Sequence, residues 1–282
     1  MNSIKAEFFY RKPLKSGEPK PQFGLSEPDP NRPDHKSFLR DVKNARDINS
    51  SLAKEGFKLL KHETSVQDFY NETAVSSAYY FEMQELVKKE TNADEVYIVS
   101  HITRNEFEAQ QGKMLGAHRL VHNDFTPNFN ETVKPLIEES KIDPSKISVY
   151  NLWRRFDKDS LDAPFAVCDS STVSESELIP TDLFNYLDGD DGFTVEIYQS
   201  SFNDNHQWYY YPKMQKDEVL MFKTFDSLEK PFLPTLHSAF DDISVTETVS
   251  PRESIEVLSL IHISEPTRPE RIAYGVFCLK KK

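Results

Sequence analysis

Short apolar runs follow one another through the second half of the chain. They constrain its fold more strongly than any other feature of the sequence. The runs are ISVYNLW (147–153), PFAVCD (164–169), FTVEIYQ (193–199), QWYYYP (207–212) and EVLMFKTF (218–225). Proline, glycine, asparagine and aspartate separate them. Many short strands with turn residues between them are typical of a sandwich or barrel. We therefore predict a mainly β fold with flanking helices (α+β), built on a jelly-roll barrel.

The first half of the chain supplies the flanking elements. Residues 65–90 predict a helix, because apolar residues such as Val75 and Met83 recur at helical spacing on one face. The run VYIVSHI (96–102) predicts a buried strand from its β-branched content. Residues 1–40 carry several prolines, which exclude a long helix or a central strand. We expect this segment to be an extended arm that lies over the core.

The end of the chain has a different character from the rest. Its last residues, LSLIHISEPTRPERIAYGVFCLKKK, resemble the translation of a sequencing adapter, and IHISEPTRP is the recognisable part. The alternative is a genuine strand, turn and strand that ends in a basic tail. We predict a single oxygenase-like domain over residues 1–257 and a non-native tail over residues 258–282. No functional role is assigned to the tail.

Composition excludes several classes of function. The net charge of −12 disfavours nucleic-acid and anionic-membrane partners, which require a basic patch. Only 8 glycines are present, and no two of them form a phosphate-binding loop, so nucleotide and methyl-donor sites lack their backbone. Two cysteines are too few for a disulfide framework or a thiolate zinc site. No apolar run approaches about 18 residues, so we expect no membrane span and a cytoplasmic location.

The segment AHRLVHNDFTP (117–127) carries the chemistry. His122 and Asp124 are two residues apart, and residues at that spacing on a strand point to the same face. An imidazole and a carboxylate on one face supply two ligands of the 2-His-1-carboxylate triad of non-haem iron oxygenases. Such a triad leaves open positions for a co-substrate and O₂. The second histidine could be His206 or His237.

A co-substrate anchor follows the second of these histidines. Arg252 and Ser254 lie in the segment RESIEV, 15 residues and more beyond His237. An arginine with a hydroxyl beside it suits capture of the distal carboxylate of a dicarboxylic acid. Arg154 and Arg155 are rivals for an anion site, since neighbouring strand residues face opposite ways. We predict Arg252, Ser254 and Arg154 as co-substrate ligands.

Several segments together resemble the AsaB-like/CmcJ-like hydroxylase/desaturase family, which is often labelled methyltransferase. The segments are FFYRKP (8–13), EGFKLLKHET (55–64), VHNDFTP (121–127), NLWRRF (151–156), PFAVCDSSTV (164–173), HQWYYYPKMQKDEVLMFKTFDS (206–227), HSAFDD (237–242) and RESIEV (252–257). The resemblance implies a double-stranded β-helix (jelly-roll or cupin-like) barrel. It also implies oxidative chemistry on a small organic molecule of secondary metabolism.

The resemblance also assigns residues. It places the iron ligands on His122, Asp124 and His237, and the arginine of the last block on Arg252. We therefore predict an oxidoreductase: a Fe(II)/2-oxoglutarate-dependent hydroxylase or desaturase that uses O₂. Members of the family usually carry another arginine shortly after this block, where Leu258 stands here. If that arginine is the anchor, Arg252 is not.

Other functions remain compatible with the same residues. A non-redox barrel, such as an isomerase or a small-molecule binding protein, would keep the fold without the oxidation. An accessory protein would act only beside a partner enzyme. A methyltransferase would need a methyl-donor site, against which the scarcity of glycine argues.

Overall fold

Two β-sheets form the framework of the protein in a computed structural model. The structure describes residues 3–24, 32–129, 134, 137–140, 142–157, 162–184, 194–245 and 249–262. Within these ranges the strands are β1 (Ser3–Arg11), β2 (Gln22–Gly24), β3 (His35–Asn44), β4 (Phe57–Lys61), β5 (Glu95–Asn105), β6 (His122–Asn123), β7 (Ile147–Arg155), β8 (Phe165–Cys168), β9 (Leu178–Phe184), β10 (Thr194–Ser200), β11 (Trp208–Tyr210), β12 (Glu218–Asp226), β13 (His237–Ala239) and β14 (Glu253–His262).

The larger sheet has nine strands in the order β1-β3-β11-β8-β13-β6-β10-β9-β2, and the smaller has five in the order β4-β12-β7-β14-β5. Neighbouring strands are antiparallel except for the pairs β11–β3 and β2–β9. Aromatic and aliphatic side chains from both sheets form one core cluster. It joins Trp153 and Phe222 of the smaller sheet to Phe165 and Val167 of the larger. The two sheets therefore pack face to face, as the short apolar runs predicted.

Helices cover the outer face of the smaller sheet. The helical segments are α1 (Glu72–Ala74), a π-helical turn (Val75–Tyr79), α2 (Tyr80–Thr91) and α3 (Glu106–Gln110), with 3₁₀ turns at Ala45–Asp47, Pro127–Phe129, Ser170–Thr172 and Glu175–Glu177. The Asn71 side chain caps the first helical turn by accepting a hydrogen bond from the amide of Ala74. The helix ends at Asn92, which adopts the left-handed conformation with φ of 55°.

The buried helix face packs on the smaller sheet. Val75 and Met83 contact a cluster that includes Leu152, Met221 and Val257. Residues at alternate positions on a strand point to opposite faces, so the residues that flank Leu152 along β7 point toward the larger sheet. This alternation divides the smaller sheet into a face that carries the helix and a face that lines the interior.

The prediction of an extended arm over 1–40 is wrong for residues 3–11. They form β1, which pairs antiparallel with β3 along its whole length. Ala6, Phe8 and Tyr10 alternate along β1, and all three are fully buried. The prolines that motivated the prediction lie outside both strands, so they do not interrupt the hydrogen-bonded ladder.

The start of the proposed tail lies in a strand. Residues 258–262 complete β14, which pairs with β5 on one side and β7 on the other. Leu258 and Leu260 are buried in a cluster with Val149 and Phe225. Residues 263–282 lie outside the described residues, and the non-native origin of 258–282 stays a prediction.

Among the described residues, no helix is both long and apolar enough to cross a membrane.

A partly buried ion pair ties β1 to β3. Asp34 accepts a hydrogen bond from Arg11 Nη1 at 2.7 Å and lies 2.9 Å from Nδ1 of His35. Burial alone would raise the pKa of Asp34, but the contacts with His35 and Arg11 lower it from 3.8 to about 2. Because the folded pKa lies below the unfolded one, the ionised carboxylate stabilises the fold above about pH 4. This stabilisation is lost as the pH falls toward 2.

We therefore expect Asp34→Asn to be less stable than the wild type near neutral pH, with a difference that shrinks between pH 4 and pH 2. Urea unfolding followed by tryptophan fluorescence over this pH range measures it. The matched control is Asp41→Asn, which removes the exposed pair with Lys5 and should change stability little. A difference for Asp34→Asn that is constant down to pH 2 would contradict the assignment.

Candidate metal centre

Two histidines meet on adjacent strands of the larger sheet. β6 lies between β13 and β10, and His122 is the direct cross-strand partner of His237. Side chains of directly opposed residues in an antiparallel pair project to the same face. Both imidazoles are buried, and their ring centroids are 4.2 Å apart.

Asp124 completes the group. Its Oδ1 lies 3.5 Å from Nε2 of His122, and its Oδ2 lies 3.7 Å from Nε2 of His237. The three potential ligand atoms lie within 4.8 Å of one another. β6 ends at Asn123, so Asp124 stands in the bend just past the strand. The spacing argument nevertheless placed it on the correct face.

The hydrogen bonds of the two rings show which nitrogen faces the centre. Nδ1 of His122 lies 2.7 Å from the carbonyl of Leu120, and Nδ1 of His237 lies 3.1 Å from that of Thr235. A carbonyl only accepts, so each Nδ1 carries the proton and each Nε2 offers a lone pair. Nε2 of His237 is buried and has no hydrogen-bond partner among the described residues. A divalent metal would satisfy this atom, and the two-histidine, one-carboxylate donor set suits Fe(II).

The charges of the group favour an ionised carboxylate. Burial raises the pKa of Asp124, but the charge of His237 and the close approach of both histidines hold it well below its ordinary value. Burial and the neighbouring His237 lower the pKa of His122. Burial also acts to lower the pKa of His237, but the Asp124 carboxylate outweighs it and the pKa is raised. Metal binding needs an ionised carboxylate and neutral imidazoles, so a bound divalent cation would displace any proton on Nε2 of His237.

Aromatic side chains surround the histidines. The rings of Phe165 and Phe222 lie 5.7 Å and 4.8 Å from the ring of His237. Trp153 stacks on Phe165 with a centroid distance of 4.9 Å. An apolar wall of this kind excludes water from a metal site and holds the ligand rings in place.

The other histidines have different surroundings. His206, the alternative second ligand, is held between Tyr10 at 3.0 Å and Glu177 at 2.8 Å, away from Asp124. His237 is therefore the histidine that the fold brings to the motif. His118 is buried with its ring 4.3 Å from that of His122, so it belongs to the surroundings of the site.

The predicted anchor residues Arg252 and Ser254 are both buried. Nη1 of Arg252 donates to the carbonyl of Ala163 at 2.6 Å, and its guanidinium lies 5.7 Å from the ring of Trp153. Burial lowers the pKa of Arg252 to about 10. Arg252 Nε and Ser254 Oγ have no hydrogen-bond partner in the described ranges.

The structure places Arg154 away from the candidate metal centre. Its guanidinium donates to the carbonyls of Lys216 at 2.7 Å and His62 at 3.0 Å, and it lies 5.4 Å from the ring of Tyr79 beneath the helix. Its neighbour Trp153 points to the interior, so alternation directs Arg154 to the helix-covered face. The prediction that it binds the co-substrate is therefore wrong.

Three further residues of the site were not predicted: Asn151, Arg104 and Glu256. Asn151 donates to Asp124 at 2.5 Å and to Glu256 at 2.7 Å. Arg104 donates to the carbonyl of Gly116 at 2.8 Å and influences the pKa values of both Glu256 and Arg252. One signal could have found Glu256, since it continues the alternation of Arg252 and Ser254 along RESIEV. Asn151 and Arg104 have no comparable signal, because β7 and β5 contribute to the site only through sheet pairing.

The comparisons with known proteins agree with this geometry. The chain is 33% identical over 172 residues to the Fe(II)/2-oxoglutarate-dependent dioxygenase nvfI of Aspergillus novofumigatus, and the match spans 60% of the length of each protein. It is 28% identical over 241 residues to the hydroxylase/desaturase efuI of Hormonema carpetanum, covering 77% of this chain and 80% of the relative. The solved structure of the iron and alpha-ketoglutarate-dependent endoperoxidase NvfI matches with a TM-score of 0.79 at 25% identity, over 93% of this chain and 98% of that one.

The fold and the site together define a β-rich chain of the non-haem iron oxygenase class, and the names of the relatives confirm this prediction. Residues 8–262 match the family described as "Oxidoreductase/YMDC permease-like domain", and the chain belongs to this family. The predicted jelly-roll fold and the resemblance to a hydroxylase/desaturase family are likewise confirmed.

Removal of one histidine of the group tests its metal-binding role. We expect His122→Ala to weaken Fe(II) binding by at least about 100-fold. Substitution of residues that only hydrogen-bond to metal ligands already lowers metal affinity about 10- to 100-fold. Anaerobic titration of the metal-free protein with Fe(II) measures the affinity. The control is His101→Ala, which removes a histidine that contacts Tyr80 of α2. Equal affinity in the wild type and His122→Ala would overturn the assignment.

Proposed function

We propose that the chain is a Fe(II)/2-oxoglutarate-dependent hydroxylase or desaturase that acts on a small organic molecule of secondary metabolism with O₂. The observation that carries this proposal is the group of buried His122, partly buried Asp124 and buried His237, in which one Nε2 has no hydrogen-bond partner among the described residues. The relatives named as dioxygenases and hydroxylase/desaturases support it.

His122, Asp124 and His237 would hold the iron through two Nε2 atoms and a carboxylate oxygen. When bound, the iron couples O₂ reduction to decarboxylation of 2-oxoglutarate, giving succinate and CO₂ and leaving one oxygen atom for oxidation of the substrate. The chain keeps both imidazoles in the tautomer that presents Nε2, through the carbonyls of Leu120 and Thr235. The ligands are thus oriented before the metal arrives.

Arg252 and Ser254 are the proposed anchor for the distal carboxylate of 2-oxoglutarate. Arg252 forms no ion pair with any described carboxylate, although it is buried. A buried guanidinium without a carboxylate partner is costly, and an incoming dicarboxylate would supply the missing charge. The free Oγ of Ser254 stands two residues further along, at the start of β14, and would donate to the same group.

The interior face of the barrel limits the access of water. Trp153, Phe165 and Phe222 form the wall beside His237. Hydrogen abstraction from a carbon needs such a dry cavity, because water would otherwise compete for the oxidising equivalent. The apolar wall also supports an organic substrate rather than a highly charged one.

The anchor role is tested by two arginine variants. We expect Arg252→Met to raise the KM for 2-oxoglutarate about 10- to 100-fold, because a hydrogen bond to a charged group contributes about 1.5–3 kcal/mol. Arg154→Met removes a buried arginine from the helix-covered face and should leave this KM unchanged. The measurement is succinate release at varied 2-oxoglutarate with saturating Fe(II). An unchanged KM in Arg252→Met would transfer the anchor to another residue.

The same assay separates the oxygenase from a non-redox barrel. The wild type with Fe(II), O₂ and 2-oxoglutarate should release succinate, and the release should require all three. Fe(II) binding with no succinate under any condition, including a panel of small organic substrates, would favour the non-redox function.

A further inference from the structure

The amide of Asn151 connects the proposed metal ligand Asp124 to a second carboxyl group, that of the buried Glu256. Nδ2 of Asn151 donates one hydrogen to Oδ2 of Asp124 at 2.5 Å and the other to Oε1 of Glu256 at 2.7 Å. Asn151 is fully buried, and Glu256 is also buried. Both amide hydrogens are therefore used, and both go to carboxyl oxygens at the centre of the interior.

The orientation of this amide is determined by its two carboxyl contacts. Oδ1 of Asn151 accepts a hydrogen bond from Oγ1 of Thr224 at 3.2 Å. Turning the amide over would place its oxygen against two carboxyl groups and its NH₂ against a hydroxyl. Only the observed orientation satisfies the two carboxyl acceptors.

The backbone of Asn151 is held on both sides. β7 lies between β12 and β14, and Asn151 pairs with Phe222 on one and Leu258 on the other. A residue in the middle of three hydrogen-bonded strands moves only with the sheet. Its side chain is therefore a rigid support for whatever it contacts.

Asp124 has no such backbone support. It follows the two-residue strand β6, so the sheet ladder ends one residue before it. Besides its ion-pair contacts with the two histidines, its carboxylate accepts one side-chain hydrogen bond in the described part of the protein, from Asn151. The orientation of this carboxylate thus depends on a residue of the opposite sheet.

We propose that Asn151 is a positioning residue for the metal ligand: it holds Oδ2 of Asp124 in a hydrogen bond and so directs Oδ1 to the metal. Glu256 completes the device, because it takes the second amide hydrogen and prevents the amide from rotating. The proposal rests on the proposed function, in which Asp124 is an iron ligand.

The test replaces the amide and measures metal binding directly. Asn151→Leu keeps the volume and removes both donors, and Asn151→Ser removes them with a smaller polar side chain. Each variant is titrated anaerobically with Fe(II), and with Co(II), whose absorption spectrum reports coordination geometry. We expect affinity to fall about 10- to 100-fold and the Co(II) spectrum to change, as for other groups that orient metal ligands.

Thr224→Val is the matched control, because it removes the hydroxyl behind the amide and leaves both donors in place. We expect its affinity to stay within about threefold of the wild type and its Co(II) spectrum to be unchanged. The melting temperature of each metal-free variant separates a loss of folding from a loss of metal affinity. If Asn151→Leu does not fold, Asn151→Ser decides the question.

The outcomes distinguish this proposal from the proposed function. Wild-type affinity and spectrum in the Asn151 variants, with metal binding abolished in His122→Ala, would overturn the positioning role alone. An equal loss in Thr224→Val would also overturn it, since packing would then explain the effect. Wild-type affinity in His122→Ala would overturn the metal site itself.

Discussion

The partly buried carboxylate of Asp124 is the group on which the rest of the site depends. A charge that loses most of its contact with water is unfavourable unless it is paired and hydrogen-bonded. Two histidines of the larger sheet and one asparagine of the smaller sheet supply these contacts. The carboxylate can therefore exist only where the two sheets face each other, and the site is a property of the interface between them.

The smaller sheet provides the rigidity that the site needs. Its central strands are covered on the outer face by the helix, whose apolar residues pack on Leu152, Met221 and Val257. The same strands present Asn151, Trp153 and Glu256 to the interior. The alternation of side chains lets each strand do both, with one set of residues packing against the helix and the other facing the interior.

Much of the site could be predicted because its residues are close in sequence or carry a recognisable order. The spacing of His122 and Asp124 reflects strand geometry, and RESIEV alternates in the same way. The prediction that Arg154 binds the co-substrate failed because adjacent strand residues face opposite directions. The sequence does not say which of the two faces is the interior. The prolines of the N-terminal segment were misleading because a strand tolerates them just beyond its ends.

The sequence by itself determined the β-rich class, the pair His122 and Asp124, and the choice of candidates for a second histidine. These conclusions follow from the alternation of side chains along a strand, which involves only residues close in sequence. The family resemblance had already assigned His237 rather than His206, and the tertiary structure shows it opposite His122. Only the tertiary structure decided that Asn151 and Glu256 meet at Asp124. Strand pairing across more than a hundred residues brings these groups together. It depends on the packing of the whole chain, which no local pattern encodes.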